Sequence, residues 1–248
     1  MFPTINIGPL ALQSHGLILL AAVWFAAEAA ERGARRLGRR GDHIYNMALL
    51  AGLLGLIGAR LGYVLEHFAV YQNYPAQIVA LDLNTLSAGW GLCAAGLAAY
   101  LYARRAGIAQ RWLLDALTPG CVVLAGGWAL ANLASGDAYG APSSLPWSIE
   151  LWGAARHPVQ LYELSAVVAI GLIALKIDRA FDGFRFGLFA ALYAAVRLIL
   201  EAFRGDSSLT NGVRVTQVWS LAAIILVLLL MRRWALIQSA QLTGEGGT

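Results

Sequence analysis

Stretches of roughly 17 to 25 mainly apolar residues recur along this entire chain, each long enough to cross a bilayer as a helix. Seven are counted. They run approximately from Leu10 to Ala30, His43 to Leu65, Leu86 to Ala103, Trp112 to Ala134, His157 to Leu175, Phe186 to Phe203, and Val215 to Met231. The fifth and sixth carry several polar residues and are the weakest by hydropathy. Composition agrees: the 248 residues are 59% hydrophobic and 13% charged, where a soluble domain carries about a quarter charged residues. The expectation is an all-α integral membrane protein, a single domain over residues 1–248, built as a seven-transmembrane-helix bundle. Cys93 and Cys121 fall inside predicted helices, which argues against a disulfide framework.

Arginine placement predicts the orientation. "ERGARRLGRR" after the first stretch holds Arg32, Arg35, Arg36, Arg39 and Arg40. Arg104, Arg105 and Arg111 follow the third, Lys176, Arg179 and Arg185 the fifth, and Arg232 and Arg233 the last. The N-terminal segment and the connection from Glu66 to Thr85 have no lysine or arginine. By the positive-inside rule the N-terminus lies outside and the C-terminus in the cytoplasm, with an outside loop between helices 4 and 5. The net charge of +4 is therefore topological, and its arginine clusters suit anionic headgroups rather than nucleic acid. No positive region precedes the first apolar run, so no cleavable signal peptide is expected.

With that topology the polar residues fall in one outer layer. Arg60, Tyr63 and His67 share a face of the second helix, and Asn132 sits near the outer end of the fourth. The outside loop "SGDAYGAPSSLPWSIELWGAA" brings Asp137, Tyr139 and Trp147. "RHPVQLYE" opens the fifth helix, with His157, Gln160 and Glu163 at spacing three and Tyr162 beside them. The sixth carries "RLILEAFR", which puts Arg197, Glu201 and Arg204 on one face, and Arg214, Thr216 and Gln217 open the seventh. Arginine and glutamate cost at least ~2.5 kcal/mol each at mid-bilayer and are turned into a bundle or wet cavity. The bland reading is that Arg197 and Glu201 only pair and Arg60 snorkels to headgroups. The functional reading is anion recognition, because guanidinium binds phosphate bidentately, and the nearest phosphate is a phospholipid headgroup.

Other chemistry has little support. The four histidines are scattered and no C-x-x-C occurs, so neither a metal nor a cofactor is expected. Gly58 and Gly62, four apart, suit close helix packing. The tryptophans suit an interfacial belt.

The sequence resembles the bacterial prolipoprotein diacylglyceryl transferases, through "GARLGYVL", "LDALTPG", "YGAPSSLPW", "RHPVQLYE", "LYAAVRLILEAFR" and "VTQVWSLA" in that order. The resemblance implies transfer of diacylglyceryl from phosphatidylglycerol to a lipobox cysteine thiol of a secreted prolipoprotein, at the outer leaflet of the bacterial inner membrane. It releases glycerol 1-phosphate. By the same resemblance Arg60, Gln160, Tyr162, Glu163, Tyr193, Arg197, Glu201, Arg204 and Gln217 fall on family motif positions, with Arg197 and Arg60 gripping the lipid and Glu201 orienting Arg197. Two departures stand out. "WALANLASGDAYG" keeps Gly140 of the family pattern but has Ala129 and Ser135 where the family has arginine and asparagine, and Asp137 for glutamate. "AGWGLCAAG" has Cys93 at the position of the family's third-helix histidine, a candidate base, and His15 stands where a tyrosine is expected. Cys93 lacks a cationic partner in its own helix and is expected as inert core. The departures leave open a rival: a non-catalytic or re-purposed paralogue that binds phospholipid or lipoprotein.

Overall fold

A computed structural model describes residues 4–7, 10–38, 42–72, 74–79, 85–207, 209–210 and 212–245. Arg39 and Arg40, and residues 73 and 80–84 of the expected second connection, lie outside them. Seven long helices account for most of the described chain: α1 (Ser14–Arg36), α2 (Asp42–Glu66), α3 (Ala88–Arg105), α4 (Gln110–Ser135), α5 (Val159–Lys176), α6 (Phe184–Leu200) and α7 (Val215–Glu245). Short antiparallel pairs precede or join them: β1 (Thr4–Ile7) with β2 (Leu10–Gln13), β3 (Ile149–Leu151) with β4 (Ala154–Arg156), and β5 (Leu209–Thr210) with β6 (Val213–Arg214).

Five of the helical segments are long and apolar enough to cross a bilayer: His43–Glu66, Gln110–Ser135, Val159–Lys176, Phe184–Phe203 and Val215–Gln241. Their outward faces carry large apolar side chains such as Leu53, Ile57, Leu61, Leu221, Ile225 and Leu229, all exposed. Helices that satisfy their own backbone while presenting such faces belong in lipid. This is an all-α, multi-pass membrane protein. The segments of α5 and α6, expected to be the weakest, meet the criterion. Those of α1 and α3 do not, because Glu28, Glu31 and Arg32 interrupt α1 and Arg104 and Arg105 end the short α3.

Several boundaries move. Leu10 to Gln13 pair with the first strand, Ile7 opposite Leu10, so helix begins only at Ser14. At its other end α1 continues through Arg32, Arg35 and Arg36, which form its last turns instead of a connection. Arg232 and Arg233 lie within α7, since no proline or glycine intervenes before Gly244. The sixth helix stops at Leu200, and Glu201–Phe203 tighten into a 3-10 turn.

The chain forms two compact units, residues 34–113 and residues 1–33 with 114–248. In the first, α2 and α3 pack antiparallel through small residues. A Cβ on Gly58 would come within 2.3 Å of Ala94, and one on Gly62 within 2.2 Å of the Trp90 ring, so both glycines are needed for the approach. At the end of this pair Glu66 accepts hydrogen bonds from Ser87 and the Trp90 indole.

In the second unit α1 packs antiparallel on α4, Gly33 opposite Ala116 and Gly127 opposite Ala22. Ala125, Val167, Ile170, Ala174 and Phe189 form a buried cluster from α4, α5 and α6. α7 lies along α6, with Met231 over Gly187 and Trp234 over Gly183. Asp115, 2% exposed, accepts the backbone N–H groups of Gly183 at 2.9 Å and Phe186 at 3.1 Å. A carboxylate from α4 thus serves the open N-terminus of α6, where orphan donors and the helix dipole favour an anion. The quoted motif "LDALTPG" contains this aspartate, and its role as a cap was not anticipated.

Candidate functional site

At the opposite end of α6 the polar side chains gather. Glu163, 2% exposed on α5, accepts from Tyr193 at 2.8 Å and from Arg197 Nη1 at 3.2 and 3.4 Å. Glu201 was expected to orient Arg197. Instead its carboxylate pairs with Arg204, whose Nε is 3.9 Å away. The carboxylate bonded to Arg197 belongs to the neighbouring helix, because α5 turns Glu163 toward α6. Among the described residues Arg197 Nε and Nη2 have no protein acceptor, and its side chain is 24% exposed. These are donors available to an anion.

Beyond Leu200 the chain is tied down. Arg204 grips Asp206 with two hydrogen bonds, 2.9 and 2.8 Å. Arg214 Nη1 donates to the Glu201 carbonyl, to the Arg204 carbonyl at 3.2 Å and to Ser207 Oγ at 2.7 Å. Gln217 Nε2 reaches the Leu198 carbonyl at 3.4 Å. Asp206 lies past the helical pattern, and Arg214, in the polar layer expected to recognise an anion, here ties backbone carbonyls.

The loop between α4 and α5 closes over this turn. Ala141 N donates to the Phe203 carbonyl at 2.7 Å, and Gly205 N to that of Tyr139 at 2.9 Å. Gly140 is required here: a Cβ would lie 2.2 Å from the His157 carbonyl oxygen. Arg156 binds the Gly140 carbonyl and stacks over the Tyr139 ring. Asp137 meets the site through its backbone carbonyl, which accepts from Gln160 Nε2 at 2.7 Å, while its side chain is exposed. His157 precedes α5 instead of continuing its stripe. Its ring packs edge-on against Phe203 with centroids 5.4 Å apart, and Nδ1 is 3.5 Å from the Tyr162 hydroxyl. That hydroxyl also accepts from the Trp147 indole. Asn132 is buried at the end of α4.

Arg60 belongs to the other compact unit. Its Nε donates to the Ile78 carbonyl at 3.0 Å, Nη1 to Thr85, and Nη2 to the Gln77 carbonyl, and the guanidinium lies over the Tyr71 ring. Tyr63 and His67 stack, centroids 4.2 Å apart, with His67 just past the helix end. Cys93, expected in the core, is exposed on α3, where a small side chain facing outward completes no packing. Ala129 is 1% exposed within α4. His15 meets Trp128 edge-on, and its Nδ1 is buried without a partner among the described residues.

Apolar helices that bring a partly open arginine, buried carboxylates and a covering loop to one end define a multi-pass membrane protein with a polar site. The chain belongs to the prolipoprotein diacylglyceryl transferase family, which it matches over residues 3–233. It is 30% identical over 233 residues to the phosphatidylglycerol–prolipoprotein diacylglyceryl transferase of Lactiplantibacillus plantarum, covering 87% of this chain and 83% of that protein. The transferase of the same description from Cutibacterium acnes is 29% identical over 251 residues, 92% of this chain and 84% of that protein. That of Clostridioides difficile is 28% identical over 213 residues, 85% and 86% respectively.

Proposed function

We infer that this chain is a phosphatidylglycerol–prolipoprotein diacylglyceryl transferase. It takes a phospholipid and the lipobox segment of a secreted prolipoprotein as substrates, at the outer leaflet of the bacterial inner membrane. The helices cross the membrane seven times with the N-terminus outside, which the arginine-rich ends of α1 and α3 support. The observation that carries the activity is Arg197. It is anchored by Glu163 through Nη1 and holds Nε and Nη2 ready for phosphate oxygens.

In the reaction the thiolate sulfur bonds to the glyceryl carbon, the carbon–oxygen bond to phosphate breaks with its electrons moving to oxygen, and glycerol 1-phosphate leaves. The phosphodiester monoanion thereby becomes a monoester dianion. A fixed guanidinium aimed at that oxygen stabilises the charge as it develops. Glu163 and Tyr193 keep Arg197 from rotating away. Arg60, with four hydrogen bonds to Gln77, Ile78 and Thr85, acts chiefly by holding those residues. Tyr162, His157, Asn132, Gly140 and Gln217 shape the lipid end, and the loop with Asp137 covers it.

The exposed Cys93 and buried Ala129, where the resembled pattern has histidine and arginine, keep the non-catalytic paralogue as the second reading. Complementation of a transferase-depleted bacterium separates the two, with Arg197→Ala alongside and membrane levels of both matched. Rescue lost in the variant establishes the enzyme. Failure of well-expressed wild-type protein supports the paralogue.

A further inference from the structure

Gln160 and Glu201 are each 1% exposed, and among the described residues each leaves one side-chain oxygen without a hydrogen-bond donor. For Gln160 the amide orientation is dictated by its partner: Nε2 donates to the Asp137 carbonyl. Exchanging oxygen and nitrogen would set two acceptors face to face, so Oε1 must be the unpartnered atom. For Glu201, Oε2 lies 3.9 Å from Arg204 Nε, but that nitrogen and Nη2 are directed at Asp206. Buried acceptors are normally satisfied, and an exception asks for a missing donor.

The two exceptions fall at one level. α5 and α6 meet through Glu163, near the start of one helix, and Arg197, near the end of the other, so the helices are antiparallel. Gln160 lies three residues before Glu163 and Glu201 four residues after Arg197. Both are therefore displaced from the ion pair in the same direction by about one helical turn, ~5 Å. Arg197, with its donors open, lies about one helical turn away.

We propose that Gln160 and Glu201 form a hydroxyl-accepting subsite, which recognises free hydroxyls on the headgroup of the phospholipid whose phosphate Arg197 holds. The proposal rests on the reading of this chain as a phospholipid-using transferase and names the feature by which it selects its lipid. An ammonium headgroup also offers donors. However, Arg204 and Arg214 already place two cations beside Glu201, and a further positive charge there is disfavoured. Neutral hydroxyls satisfy both oxygens without adding charge.

The test uses the full chain in lipid nanodiscs with a lipobox peptide. It compares phosphatidylglycerol with phosphatidylpropanol, the same diester without headgroup hydroxyls, and with phosphatidylethanolamine. The wild-type protein transfers from phosphatidylglycerol at least tenfold faster than from either other lipid, and Gln160→Met and Glu201→Met each shrink that ratio toward one. Equal wild-type rates on phosphatidylglycerol and phosphatidylpropanol overturn the proposal. So do variants that slow both lipids by the same factor, or phosphatidylethanolamine used as readily as phosphatidylglycerol. If wild-type protein transfers from none of them, the enzymatic reading fails, and lipid retention read by native mass spectrometry decides the subsite. At least fivefold retention of phosphatidylglycerol over phosphatidylpropanol then sustains it, and equal retention overturns it.

Discussion

Arg60 and Arg197 are both arginines inside apolar helices, each followed by motif residues, and the two compact units use them differently. Arg60 directs its guanidinium to the carbonyls of Gln77, Ile78 and Thr85 and lies over Tyr71. It pins a connecting segment to the helix that carries it. Arg197 commits only Nη1, to a carboxylate on the neighbouring helix, and leaves two nitrogens open. Residue type and depth in an apolar stretch do not separate a clamp from a ligand-facing cation. Which donors are already engaged does.

Arg197→Ala carries the largest expected effect, a loss of about 10²- to 10³-fold in transfer rate, the scale for removing one preorganised transition-state donor. The measurement is the mass gain of a lipobox peptide with purified protein. An Arg60→Ala variant that loses as much would break the contrast between the two arginines. Gly62→Ala comes next: a Cβ there meets the Trp90 ring at 2.2 Å, and overpacking of this kind costs about 1–3 kcal/mol. Thermal unfolding of the detergent-solubilised protein would show it as a lowered midpoint. Glu163→Gln removes the charge that anchors Arg197 and weakens a charge-assisted contact, for roughly 1–2 kcal/mol. Its signature is a transfer rate that falls more than the unfolding midpoint does; the reverse order would make Glu163 a packing residue. Arg60→Ala itself is expected to cost about tenfold or less in rate, since its hydrogen bonds hold the loop rather than the substrate and water replaces part of them. Amide exchange in residues 74–79 should accelerate, and an unchanged segment would argue that Arg60 faces substrate after all.

Much of this architecture is legible in the apolar spacing. Each long helix falls on an expected stretch, because bilayer thickness and the need to bond the backbone internally leave few alternatives. The ends are less legible. Arginines at 32, 35, 36, 232 and 233 read as connections, yet arginine is a good helix former and sits well at a helix C-terminus. Gln160, Glu163, Arg197 and Glu201 were visible as polar residues in apolar surroundings. Their pairing was not. Spacing within one helix suggests Arg197 with Glu201, whereas the observed bond to Glu163 depends on how α5 is rotated against α6. Arg214 and Asp206 act past the last helical turn, where periodicity carries no information.

The hydrogen bonds from Asp115 to Gly183 and Phe186 span 68 and 71 residues of chain. During synthesis from the N-terminus, α4 leaves the ribosome well before α6 exists. The aspartate therefore waits in the growing assembly for amides that have not yet been made, and the sixth helix arrives to find its N-terminal acceptor in place. Order of insertion is written into that contact: a chain in which the fourth helix failed to integrate would present its sixth with bare amides at the membrane boundary, a defect that quality-control proteases could read.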